Sequence, residues 1–206
     1  MAIPATLTNF DLKKETKIMA IITKQELKSF SINLNYTTRS TYLSKTFTLN
    51  EAKGKALKTI FLSHSHSDAD VIEPAVVLLK SIGVNVYIDW KDGSMPAITN
   101  AVTAAKLKEN IKKHDRFILL ASPAAIKSNW VNWELGYGDA QKYIENIAIF
   151  PTEDYNGQWK DAEYLLIYPR LDKVSEYNIY SQRMEDVYYI VNPDGSKVPL
   201  KSWLTR

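Results

Sequence analysis

Between residues 59 and 150 short apolar runs alternate with amphipathic stretches, and this alternation restricts the fold more than any other feature of the chain. Thr59-Ile-Phe-Leu62 reads as a buried strand. Asp70 to Ile82 then carries Ile72, Val76, Leu79 and Ile82 at helical spacing. Pro74 sets the start of that helix near 71–74, because proline suits a first turn, and Gly83 suits the position just past its end. Val84-Asn-Val-Tyr-Ile88 is a second strand, followed by a loop from Trp90 to Asn100 and helical spacing from Ile98 to Lys113. Arg116 to Ala121 is a third strand, and Ser122-Pro123 opens a helical stretch running toward Glu145. Ile147-Ala-Ile-Phe150 is a fourth strand, stopped by Pro151. The order β-α-β-α-β-α-β predicts a parallel sheet with helices on both faces.

The flanks are less regular. Residues 1–57 read as a partly helical N-terminal appendage, with a short helix within 21–30 and a capping box at Thr48-Leu-Asn-Glu51. Met19-Ala-Ile-Ile marks an alternative start, with 1–18 as an upstream extension. The α/β domain is placed at 58–206, with its core at 58–150 and a C-terminal extension at 151–206. In the extension Leu165 to Tyr168 reads as a strand, and Val187 to Val191 as another that turns at Asn192-Pro-Asp-Gly195 into a hairpin. The many aromatics there, Tyr177 and Tyr180 among them, read as cover for the core.

Composition narrows the chemistry. The chain has 206 residues and no cysteine, which excludes disulfides, thiolate catalysis and Cys-ligated zinc. No apolar run reaches the ~20 residues of a membrane span, and the N-terminus lacks a signal-peptide core. A cytoplasmic protein with no membrane association is the expectation. The net charge of +3 reads as a solvated surface rather than a nucleic-acid-binding face.

Two stretches carry candidate chemistry. The first, Phe61-Leu-Ser-His-Ser-His-Ser-Asp-Ala-Asp70, holds two of the chain's three histidines in a His-x-His-x-Asp pattern. That pattern opens some zinc-hydrolase signatures, but only His114 remains to complete a site, and it falls at the end of a helix. No metal is therefore expected. The stretch instead reads as the loop after the first strand. In open α/β sheets ligands bind beyond the carboxyl ends of strands, where the strand order reverses. His64 and Ser65 are then candidate ligand contacts, while His66 and Asp68 shape and cap the turn.

The second stretch is Ser128-Asn-Trp-Val-Asn-Trp-Glu-Leu-Gly-Tyr-Gly-Asp139. Trp130 and Glu134 lie one helical turn apart on one face, with Trp133 and Tyr137 beside them. A carboxylate against an aromatic wall can grip sugar hydroxyls while a ring stacks nearby. Spacing alone leaves an alternative open, in which both tryptophans are core and Glu134 is an exposed helix residue. In a 2-1-3-4 sheet, the loops after the first and third strands face one cleft, bordered by the loop with Asp89, Trp90 and Gly93.

These pieces together resemble a TIR domain of the bacterial stand-alone kind. The resemblance covers about residues 58–150 and rests on "IFLSHSHSDAD", "GVNVYIDW", "DGSMP", "RFILLASPAAIKSNW" and "SNWVNWELG". The last is similar to the family's Ser-x-Trp-Cys-x-x-Glu-Leu pattern, with Val131 in place of the cysteine. The resemblance implies a flavodoxin-like α/β fold, a parallel sheet of order 2-1-3-4-5 with helices on both faces.

It also implies an activity: cleavage of the nicotinamide–ribose bond of NAD+, giving nicotinamide with ADP-ribose or a cyclic ADP-ribose isomer, in bacterial antiviral defence. NAD+ is then the substrate, with no further cofactor. The family's catalytic glutamate falls on Glu134, its tryptophan on Trp130 and its strand-ending aspartate on Asp89. His64, Ser65, Trp90, Gly93 and Trp133 are expected substrate contacts. A homo-oligomer through the BB loop, residues 89–97, is expected, with an activating partner or phage trigger left unidentified. Two other readings stand beside this one: a non-catalytic self-association module, and a nucleoside deoxyribosyltransferase.

Overall fold

The computed structural model describes residues 20–44, 49–55, 57–89, 100–153 and 162–206. Three helices come first: α1 (Lys24–Asn33), α2 (Tyr36–Ser44) and α3 (Leu49–Gly54). Then follow β1 (Thr59–Ser63), α4 (Ala69–Ser81), β2 (Asn85–Tyr87), α5 (Ala101–Lys113) and β3 (Arg116–Ala121). α6 (Pro123–Lys127), α7 (Asn129–Gln141) and β4 (Ile147–Pro151) complete the alternating part. The chain ends with β5 (Arg170–Asn178), β6 (Arg183–Val191), β7 (Lys197–Pro199) and α8 (Leu200–Thr205).

The strands form one sheet in the order β2-β1-β3-β4-β5-β6-β7. β2 through β5 pair in parallel, as the expected 2-1-3-4-5 order requires, and β6 and β7 add an antiparallel extension. Alternation along each strand splits the core into two layers. Ile60, Leu62, Ile118, Leu120, Ala148 and Phe150 face α4 and α8. Phe61, Phe117, Leu119, Ile147 and Ile149 face the side of α5 and α7. A core buried on both faces of the sheet explains why β1, β3 and β4 read as continuous apolar runs.

Several expectations need correction. The helix expected near 71–74 begins at Ala69, so Pro74 lies inside it; the preceding 3-10 turn, His66–Asp68, leads the chain directly into that helix. Gly83 does close it, at φ +99, a conformation that costs glycine little. The stretch from Pro123 to Glu145 is not one helix. Ser128 leaves helical geometry, ends α6 and caps α7, its side-chain oxygen accepting from the Val131 amide. Leu165 to Tyr168 is no strand: Leu165–Ile167 close a 3-10 turn, Glu163–Ile167, and Tyr168 follows it. The fifth strand lies just after it, where Leu171 and Val174 are buried in an otherwise largely polar stretch. The expected hairpin of 187–191 with the residues after Gly195 is present as β6 and β7. Tyr177 and Tyr180 do not cover the core; they are exposed near the β5–β6 turn.

Part of the N-terminal segment, read from sequence as an appendage, shares the main core through Ile22 and Leu27, while α2 buries no side chain. Thr23 caps α1 in a reciprocal box with Glu26. Ile22 and Leu27 are 2% and 1% exposed within the layer facing α4. Burying two such side chains stabilises by about 3–6 kcal/mol, comparable with the ~5–15 kcal/mol that holds a whole domain together. Ala20 bridges antiparallel to Lys173 of β5, and the Lys80 ammonium donates to the Tyr42 carbonyl. Thr48 of the expected capping box lies outside the described residues.

Candidate active site

α7 presents Val131, Glu134, Leu135 and Gly138 inward, at the i, i+3, i+4, i+7 spacing of a buried helical stripe. Glu134 therefore points into the fold and is 3% exposed, which removes the reading of an exposed helix residue. At Gly138 an added Cβ would stand 3.1 Å from the Phe117 ring, so the absent side chain is what lets α7 lie this close to β3.

The carboxylate meets β1. The Ser63 hydroxyl donates to Glu134 Oε2 at 2.5 Å, both groups being buried. Ser63 follows Phe61 by two residues and so faces the α7 side of the sheet. Burial pushes the Glu134 carboxyl up to about 8, and the nearby Asp89 charge pushes the same way. Hydrogen bonds from Ser63 and from the Trp130 side chain pull against that rise, because they favour the charged form.

Around this pair sit the loop after β1 and the end of the second strand. His64 is buried, and its Nδ1 donates to the Leu62 carbonyl at 3.1 Å. Its Nε2 lies 3.6 Å from Asp89 Oδ1. Burial holds the imidazole below its usual range, against the opposing pull of Asp89 and of the Leu62 carbonyl. Ser65 is buried and caps the 3-10 turn, accepting from the Ser67 amide at 3.3 Å. His66 is exposed.

Trp130 stacks on Trp133 at 4.8 Å between ring centroids, and Trp133 on Tyr137 at 6.0 Å. The Lys108 ammonium lies 5.7 Å from the Trp133 ring centre. Trp90 and Gly93, and all of the BB loop except Asp89, lie outside the described residues. The structure thus brings Glu134, Trp130, Asp89 and His64 to one place, with Trp133 one ring further out.

The third histidine is elsewhere. His114 is buried at the amino edge of the sheet, where its neighbour Asp115 accepts from the Thr59 amide at 2.8 Å. β1 runs from that edge to His64, a span of roughly 15 Å.

Sequence reading missed Ser63, because its strand was ended at Leu62. The signal was there in the alternation: Ser63 is on the face of Phe61. It also gave Asp68 too small a part. Asp68 makes no side-chain cap bond to α4. It accepts instead from the Ser122 hydroxyl, at the end of β3, and faces the Lys24 ammonium.

A buried, protonatable carboxylate thus stands at the carboxyl edge of a 2-1-3 parallel sheet, flanked by a tryptophan and a second acid, at the edge where open α/β sheets take their ligands. The chain belongs to the TIR domain family, whose profile matches residues 60–165. It is 29% identical over 151 residues to the probable 3' cyclic ADP-D-ribose synthase ThsB' of Bacillus cereus (strain MSX-D12), covering 71% of this chain and 75% of that protein. It is also 26% identical over 98 residues to the putative cyclic ADP-D-ribose synthase TIR2 of Cytobacillus dafuensis, covering 46% of this chain and 26% of that protein. Among solved structures, the TIR domain of the Toll-related receptor TRR-2 from Hydra magnipapillata aligns with a TM-score of 0.40 and 20% identity, over 52% of this chain and 76% of that one.

Proposed function

We propose that this chain breaks the bond between nicotinamide and ribose in NAD+, with Glu134 as its catalytic residue. The observation that carries the reading is the Glu134 carboxyl, buried between the Ser63 hydroxyl and Trp130 with Asp89 close by. The bond breaks heterolytically. Its electron pair leaves with nicotinamide, which departs neutral from a cationic pyridinium, so no general acid has to protonate it. What the protein must supply is stabilisation of the oxocarbenium-like ribose left behind. An ionised Glu134 puts negative charge beside that cation and accepts from the ribose hydroxyls.

A carboxyl pushed up to about 8 is mostly protonated at neutral pH in the free protein. Bound substrate changes this balance. The pyridinium charge, once in the cleft, favours the carboxylate, and the Ser63 and Trp130 hydrogen bonds already support it. Ionisation of Glu134 is then coupled to binding of the cationic substrate. Trp130 shields the sugar from water and stacks on a ring; His64, Ser65, Asp89, Trp90, Gly93 and Trp133 contact the rest of the dinucleotide.

Attack by water yields ADP-ribose, and attack by an atom of the same molecule yields a cyclic isomer. The names of the two relatives, both of cyclic ADP-D-ribose synthases, favour the cyclic product; a role in antiviral defence signalling is part of the same proposal. Assembly into a homo-oligomer through residues 89–97 belongs to the same proposal. Incubation with NAD+ and mass spectrometry of the products tests it. Nicotinamide should be released with ADP-ribose or a cyclic isomer, and Glu134→Gln should release at least a hundredfold less. A Glu134→Gln protein as active as wild type would sink the assignment.

A further inference from the structure

The loop that carries His64 and Ser65 is fastened from outside the TIR domain match. That match begins at residue 60, yet the cation facing Asp68 is Lys24, the first residue of α1. Asp68 is 1% exposed. Its Oδ2 accepts from the buried Ser122 hydroxyl, and its Oδ1 lies 3.6 Å from the Lys24 ammonium. One carboxylate thus ties three separate pieces of chain: the N-terminal segment, the loop after β1 and the loop after β3.

Lys24 is itself held. Thr23, just before it, forms the reciprocal cap with Glu26, and the Lys24 amide donates to the Glu153 carbonyl at 3.0 Å. Glu26 accepts from Lys173 of β5, and Lys28 pairs with Asp70. Ile22 and Leu27 anchor the segment in the core.

We infer that Lys24 is a positioning residue, which through Asp68 holds the His64–Ser65 loop in place against the cleft of Glu134. The physical reason is the burial of Asp68. A buried carboxylate needs a compensating charge. Without Lys24 the uncompensated carboxylate draws its loop toward water, and His64 lies only four residues upstream. The inference rests on the reading that His64 and Ser65 line the substrate cleft.

The test uses the full chain with Lys24→Met, Lys24→Arg and Lys24→Met combined with Asp68→Asn. Two readouts are taken: KM and kcat for NAD+, and the NMR titration of His64, with His114 as the internal control. The groups acting on His64 are Asp89, the Leu62 carbonyl, His66 and Asp68. Lys24→Met should raise KM at least about fivefold and move the His64 midpoint upward by about half a unit, as Asp68 loses its counter-charge, with His114 unmoved. Lys24→Arg should stay within about twofold of wild type. The double variant should lose less than Lys24→Met, because the charge needing compensation is gone. If the wild type consumes NAD+, an unchanged KM in Lys24→Met overturns the inference. If the wild type consumes none, the proposed function fails, and the His64 midpoint alone decides: a shift supports the fastening and no shift overturns it.

Discussion

The Ser63 hydroxyl, at the carboxyl end of the first strand, lies 2.5 Å from the Glu134 carboxylate, seventy-one positions along the chain. Both residues are buried, so the pair's chemistry is set more by the protein than by solvent. A donor that favours the charged form opposes burial that disfavours it. Removing that donor should therefore have a definite sign. Ser63→Ala should push the Glu134 carboxyl further up and move the pH–rate curve of nicotinamide release to higher pH. The loss of a hydrogen bond to a charged group, about 1.5–3 kcal/mol, predicts roughly a ten- to hundredfold slower reaction at neutral pH.

Asp89 acts on two groups at once. Its charge raises both the Glu134 and the His64 values. Asp89→Asn should therefore lower both. The NMR midpoint of His64 should fall, and the alkaline rise of activity should begin at lower pH. An unchanged His64 midpoint would show that the 3.6 Å approach is not kept in solution.

Glu134 also makes stability depend on pH. Its folded value, about 8, stands above the ordinary 4.5. Below about pH 4.5 folded and unfolded chains both hold the proton, and the group costs nothing. As pH rises the unfolded chain releases it first, so stability falls until the folded carboxyl ionises near pH 8. The loss is on the order of a few kcal/mol. Glu134→Gln should flatten this part of the curve, as measured by urea unfolding between pH 5 and 9. A slope retained in the variant would assign the dependence to other groups.

Gly138→Ala probes the approach of α7 to β3. Alanine gains up to about 1 kcal/mol in helix propensity over glycine. Against that, its Cβ would stand 3.1 Å from Phe117, itself fully buried in a stack with Phe61. A stack packed on both sides cannot give way cheaply, and overpacking costs about 1–3 kcal/mol. The net result should be destabilisation of about 1 kcal/mol, with a lower thermal midpoint and slower catalysis, because Glu134 rides on the same helix.

Periodicity made much of the fold legible. β1, β3 and β4 lie where apolar runs of four to six residues placed them, since a strand covered on both faces has no reason to carry polar side chains. β5 was missed for the opposite reason. Its sequence is largely polar, with Leu171 and Val174 three residues apart and so without the period-2 signal of a strand, while the more apolar residues 163–167 just before it form a 3-10 turn.

What the sequence determined by itself is the local chemistry: a parallel α/β sheet, a glutamate four residues after a tryptophan on one helix, and an aspartate just past the second strand. Spacing could place Glu134 on a face but could not say which way that face turned. Only the tertiary structure decided that it points inward, because the direction follows from how Gly138 and Leu135 pack on β3 and its neighbours. Only the structure joined Ser63 to Glu134 and Lys24 to Asp68, for these partners lie far apart along the chain. Pairings at such distances carry no local signal; the closing of the sheet and the burial of charge select them.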